Sequence, residues 1–170
     1  MKLSPLTEAD KPLINKWLQD PAIQYYLITE KINPALDILS YGIWSNNELI
    51  GWINLQNIDY ENSKAEYGMA LPGKKPIRVA FRATIEILKI AFYELGLNRV
   101  YARPLQSNLR KDGMDQRERF GFIREGIERQ SVKRVDVYED VVIFSILKEE
   151  FERRWGNASN PLYYGGGGSV

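Results

Sequence analysis

Cysteine and histidine are both absent from the 170 residues. Without cysteine there is no disulfide, no thiol nucleophile and no thiolate metal ligand. Without histidine no imidazole can serve as base, proton shuttle or zinc ligand, which excludes Ser-His-Asp triads and zinc hydrolase sites. Acid–base chemistry falls to Asp, Glu, Tyr, Lys, the backbone or water. An excess of one charge is missing too: 23 Lys+Arg stand against 22 Asp+Glu, a net charge of +1. That balance excludes a strongly basic nucleic-acid clamp or an acidic tail as the identity of the whole chain. No apolar run approaches the roughly 20 residues of a membrane span. The start, Met1-Lys2-Leu3-Ser4-Pro5-Leu6, reaches Glu8 and Asp10 without the apolar stretch of a signal peptide. We expect a soluble, cytoplasmic protein with no metal and neither membrane nor nucleic acid as partner.

What is present is ordinary globular composition, 44% hydrophobic and 26% charged. A chain of this length forms one domain. Thr7-Glu8-Ala9-Asp10 before Pro12 opens a helix with Leu13, Ile14, Trp17 and Leu18 on one face. Pro21 opens a shorter one carrying Ile23, Tyr25, Tyr26 and Leu27. Residues 38–44 and 49–58 are rich in β-branched and aromatic side chains around Ser45-Asn46-Asn47, a hairpin signal, and 64–71 is a third strand. The clearest helix places Ala80, Ala83, Ile87, Leu88, Ala91, Phe92 and Leu95 on one face. Arg82, Glu86, Lys89 and Glu94 lie opposite, with an Arg82–Glu86 pair expected and Gly96 as left-handed cap. A strand over 99–105, a polar helical stretch over 109–119, strands over 122–130 and 136–147 and a helix over 148–155 complete the order. The crossover between 64–71 and 99–105 makes that strand pair parallel. The fold class is α/β (α+β mixed): a single domain over 1–155 with a mixed, mostly antiparallel sheet and helices on both faces. Residues 156–170 include Gly165 to Gly168 followed by Ser169 and read as a flexible tail.

Particular stretches in this order carry a resemblance. Ile50-Gly51-Trp52-Ile53 resembles "I/V-G-x-I", and Ala65-Glu66-Tyr67-Gly68 resembles "A-E-x-G". Ala91 to Val100 fits "A-F-x-E-L-G-L-x-R-V". Gly121-Phe122 with Glu125-Gly126, and Tyr138-Glu139-Asp140 with Phe144-Ser145-Ile146-Leu147, complete the pattern. Together they resemble the GNAT acyltransferase superfamily, nearest to its ribosomal-protein N-terminal acetyltransferase branch, over about residues 3 to 155. The resemblance implies a splayed parallel strand pair that holds acetyl-CoA or another acyl-CoA in the gap. The pyrophosphate would rest on the start of the following helix, where unpaired N–H groups and the dipole favour an anion. The activity implied is transfer of the acyl group to the primary amine of a small molecule or a protein N-terminus. Homodimers are common in that branch, so a homodimer is an expectation of the resemblance.

The resemblance assigns the co-substrate to Met69, Ala70, Leu71, Lys74, Lys75, Ile77, Arg78, Val79, Ala80, Asn108 and Arg117. Glu66 stands as base, Asn108 at the family's strand end, and Lys111 where the branch has the serine that protonates the thiolate. Tyr25, Tyr26 and Trp52 are the candidates for the acceptor pocket. Three positions depart from the family pattern. Gly73 to Arg78 occupies the "Q/R-x-x-G-x-G/A" loop with Pro76 and Arg78 at the glycine positions. Arg117 stands where many relatives carry tyrosine. Gln130-Ser131-Val132 replaces a carboxylate used as base in part of the branch. Pro76 either begins the helix at the cost of one dispensable donor, with Lys74, Lys75 and Arg78 supplying charge, or the loop no longer takes a pyrophosphate. The alternatives to an enzyme are a catalytically inactive GNAT-fold binding or regulatory module, and an interaction protein using the basic segment Arg110 to Arg119.

Overall fold

A computed structural model describes residues 1–24, 39–73, 75–109, 115–134 and 136–156. The chain begins with a strand that sequence pattern does not announce. β1 (Lys2–Pro5) runs antiparallel to β2 (Leu39–Ser45), Leu3 opposite Ile43. Four residues ending in proline are too few to show a period, and proline is tolerated on an edge strand. Asp10 then reaches back to Thr7, whose N–H and hydroxyl donate to Asp10 Oδ2 at 2.8 and 2.7 Å. α1 (Lys11–Leu18) and α2 (Pro21–Gln24) follow.

Asn46 and Asn47 take φ values of 50° and 63°. A two-residue hairpin turn needs such backbone at both positions, and it joins β2 to β3 (Glu48–Asp59). β3 pairs antiparallel with β4 (Lys64–Ala70). α3 (Ile77–Lys89) continues through a wider-wound turn over Ile90–Glu94 into β5 (Arg99–Ala102). The helix ends as expected: Gly96 has φ 68°, and the Leu97 N–H reaches back to the Ala91 carbonyl at 2.9 Å. α4 is short among the described residues (Gln116–Arg119). β6 (Ile123–Lys133), β7 (Tyr138–Leu147) and α5 (Lys148–Trp155) finish the chain. The sheet order is β1-β2-β3-β4-β5-β7-β6, antiparallel throughout except for the parallel β4–β5 pair.

One sheet face carries Ile53, Leu55, Ala65, Val100, Phe144 and Ile146 and packs against the apolar side of α3 and its continuing turn, where Ala83, Ile87, Leu88, Ala91 and Phe92 are all buried. Phe92 meets Phe151 of α5 at 5.4 Å, and Phe81 meets Trp155 at 5.0 Å and Phe120 at 5.5 Å. On the other face, Trp17 of α1 stacks on Trp52 of β3, with ring centroids 6.0 Å apart and planes 11° from parallel. Helices thus cover both faces. On the outer side of α3 the structure differs from expectation in one detail. The ion pair recorded for Glu86 is with Lys89, at 3.1 Å, one turn along rather than with Arg82.

Candidate functional site

β4 and β5 are paired for three rungs only, Lys64 with Arg99, Ala65 with Val100 and Glu66 with Tyr101. Beyond Glu66 the strands part. β4 continues along β3 until Ala70 lies opposite Trp52. β5 stays with β7: Ala102 lies opposite Phe144, the Val142 N–H donates to the Pro104 carbonyl at 2.9 Å, and Leu105 bridges Val141. Pro104 has no N–H to ladder with β4, which suits a strand turning away from its neighbour. Among the described residues the edge of β4 over 67–70 that faces β5 has no strand partner. Its backbone groups can pair with an extended ligand carrying amides of its own.

The start of α3 lies beyond the end of that open edge. Pro76 is the residue before the first helical turn, not its first member, and its carbonyl accepts from the Val79 N–H at 2.9 Å. The missing proline N–H is thus outside the helix. Among the described residues no side chain caps the turn, so the N–H groups of Ile77 and Arg78 are available to an anion. Lys75, Ile77 and Arg78 are exposed, and Met69, Ala70, Leu71 and Val79 are half-buried. Ala80 is buried, and its carbonyl accepts from the Thr84 hydroxyl at 2.9 Å. With that proton committed, Tyr67 donates to Thr84 Oγ1, also at 2.9 Å, anchoring β4 to α3. Burial holds the Tyr67 phenol above its ordinary pKa, so it stays protonated.

Glu66 occupies the vertex where the strands divide, on the opposite face from Tyr67. It is 8% exposed, and its Oε2 accepts from the Asn57 side-chain amide at 2.8 Å. The pairings Trp52 with Ala70, Asn54 with Gly68 and Gln56 with Glu66 put Trp52, Asn54 and Gln56 on the same face. Asn54 lies over Gly68 so closely that a Cβ added there would sit 2.3 Å from its Oδ1. The amide of Asn54 donates to Gln56 at 3.1 Å. Across the rung, burial first and Glu66 second raise the Tyr101 phenol above its usual value. The arrangement is a polar floor with one carboxylate, walled on one side by the Trp17–Trp52 stack. Motif matching did not single out Asn54, Gln56 and Asn57. Alternation along β3 from Trp52 was the signal for the first two.

Other expected site residues are placed differently or not at all. Asn108 ends a 3-10 turn, its N–H donating to the Leu105 carbonyl at 3.0 Å, with its side-chain oxygen buried. Arg117 is ion-paired at the start of α4. Its guanidinium meets the buried Asp115 carboxylate at 3.0 Å and lies 5.8 Å from the Phe144 ring centre. Asp115 in turn caps α4, accepting from the Arg117 N–H at 2.9 Å. Tyr25, Tyr26, Lys74 and Lys111 lie outside the described residues. The basic segment from Arg110 also lies partly outside them. Among the described residues no helix is long and apolar enough to cross a membrane.

Residues 1–114 match the family model for an acetyltransferase (GNAT) domain. YdaF of Bacillus subtilis (strain 168), assigned as a ribosomal N-acetyltransferase, is 34% identical over 121 residues. That alignment spans 69% of this chain and 63% of YdaF, so the match covers less than two thirds of the relative. Two solved structures share the fold at 20% identity. One is the spermidine N-acetyltransferase of Vibrio cholerae in complex with CoA and spermine (TM-score 0.75, 88% of this chain and 96% of that one). The other is a chimera of that Vibrio cholerae enzyme, SpeG, and hSSAT (TM-score 0.76, 91% and 100%).

Proposed function

The chain belongs to the GNAT acetyltransferase family, and on that premise we propose that it transfers an acetyl group from acetyl-CoA to a primary amine. The observation that carries the reading is the position of Glu66, a buried carboxylate at the vertex of the only parallel pair among the described strands. A donor lying along the open edge of β4 brings its thioester to that vertex. Its pyrophosphate then reaches the uncapped N–H groups of Ile77 and Arg78, with Lys75 and Arg78 adding charge. Glu66, directly or through a water, takes the proton that the amine nitrogen gives up as it bonds to the thioester carbon. The C–S bond breaks and CoA leaves as the thiolate. Trp52, backed by Trp17, supplies an apolar wall for the acceptor, and Tyr25 and Tyr26 belong to the same pocket in this reading. Asn108 and Lys111 remain assigned to the donor side, with Lys74. Residues 1–155 form the catalytic domain, acting in the cytoplasm where free acetyl-CoA is found, as a monomer or homodimer.

The test is calorimetric titration with acetyl-CoA and with CoA, followed by an amine panel that includes spermidine and peptides with free N-termini, read as thiol release. Micromolar binding and turnover with at least one amine are expected. No binding at millimolar ligand overturns the reading. A second reading, a GNAT-fold binding module without catalysis, is favoured by the Arg117–Asp115 pair. It places a committed cation where the family pattern has a proton donor. Tight acetyl-CoA binding with no turnover on any amine would select it.

A further inference from the structure

β3 contains one residue more than its partner needs. Gln56 pairs with Glu66 and Asp59 with Lys64, so three steps of β3 oppose two of β4. The surplus is a β-bulge, a device that re-aims a side chain. Asn57 sits in it with φ 51°, a left-handed conformation that asparagine adopts more readily than most residues. In a regular strand, residue 57 would point away from the face that holds Gln56 and Glu66. The bulge turns it back, and its amide donates to Glu66 Oε2 at 2.8 Å. We propose that Asn57 is a positioning residue for acyl transfer, holding one oxygen of the Glu66 carboxylate so that the other is presented to the acceptor amine. The proposal rests on the reading of Glu66 as base. The choice of donor matters. A neutral amide fixes the carboxylate without cancelling its charge, whereas a guanidinium in the same place would satisfy the charge and weaken its pull on a proton.

Glycine at 57 accepts the left-handed backbone at no steric cost and removes only the amide. Asn57→Gly, Glu66→Gln and the double variant are compared by steady-state kinetics with a turned-over amine, and by acetyl-CoA titration. Asn57→Gly is expected to lower kcat/KM for the amine about tenfold, equivalent to ~1.4 kcal/mol, with acetyl-CoA affinity unchanged. In the Glu66→Gln background the same change is expected to have no further effect, because nothing is left to position. Equal losses in both backgrounds, no loss in either, or weakened acetyl-CoA binding would overturn the role of Asn57 while leaving Glu66 as base. Wild-type rates in Glu66→Gln would overturn the base itself, and Asn57 with it.

Discussion

The two halves of the sheet that meet at β4 and β5 handle polar side chains in opposite ways. On the β5–β7–β6 side, charge answers charge. Arg99 makes two bonds to Glu125 at 2.7 and 2.6 Å, and the Ser145 hydroxyl donates to the same carboxylate at 2.8 Å. Arg103 bonds Glu128 at 2.5 Å, joined by Ser131 at 3.0 Å. Both arginines hold their partner carboxyls below the ordinary carboxylate range. On the β3–β4 side an ion pair, Asp59 with Lys64 at 3.5 Å, closes the turn end of the hairpin, but towards the gap amides do the holding: Asn54 to Gln56, Asn57 to Glu66. Arg103 feels the Glu66 charge but is bonded to Glu128. Where cations close on acids, the result is a scaffold that ties β5 to β6 across β7. Where amides hold an acid, its charge stays available to an incoming cation such as a protonated amine.

The largest effect should come from breaking the amide-held side. Glu66→Gln keeps the shape and one acceptor oxygen but removes the charge and the basicity. A lost general base costs about 10²–10⁴ in rate, so kcat/KM for the amine should fall by at least about a hundredfold. Acetyl-CoA titration should be unchanged, since the proposed donor contacts lie along the β4 edge and α3. Retained activity would make Glu66 another scaffold acid and erase the contrast. A second, smaller effect sharpens the same side. Gly68→Ala places a methyl 2.3 Å from Asn54 Oδ1, so the amide floor must shift. Overpacking of this kind costs about 1–3 kcal/mol, a drop in Tm of roughly 2–12 °C for a domain this size. An unchanged Tm would mean the Asn54–Gln56 contact is not part of a fixed floor.

The same contrast explains what the sequence made legible. Local chemistry marks its own positions. Asn46-Asn47 reads as a turn because two left-handed residues are needed there, and Gly96 reads as a cap for the same reason. The apolar face of α3 and the turn that continues it is legible because seven residues from Ala80 to Leu95 repeat at helical spacing. Glu66 was reachable through its motif context. β1 was not, because a four-residue edge strand carries no period. Asn57 was not either. Its role depends on one surplus residue in β3, and nothing within the strand says which residue will be surplus until β4 is laid beside it. Arg117 matched a family position by count, yet its partner is set by the burial of Asp115 at the start of α4, a tertiary fact. The ion pair of Glu86 is with Lys89 rather than Arg82 for a similar reason: cations stand at both i−4 and i+3, and spacing alone does not choose between them.

The smallest effect should come from the scaffold side, and it tests whether that side is only scaffold. Arg99 and Glu125 are partly exposed, with 29% and 37% of their side-chain surfaces open. Exposed pairs contribute about 0–1 kcal/mol, and two-point guanidinium geometry favours the upper end of that range. Arg99→Ala should therefore lower the urea midpoint slightly at pH 7. The sign of its pH dependence follows from the depressed Glu125 carboxyl. A group whose folded pKa lies below its unfolded value stabilises above the ordinary carboxylate range, about 4.3, and loses that contribution as the pH falls through the folded value. The difference between Arg99→Ala and wild type should thus be present at pH 7 and shrink as the pH is lowered toward 3. Amine turnover at pH 7 should not change. A loss of turnover with no loss of stability would mean that this arginine, three rungs from the open gap, reaches the reaction, and that the division between neutralised scaffold and available acid lies further from the gap than the Glu66–Tyr101 rung.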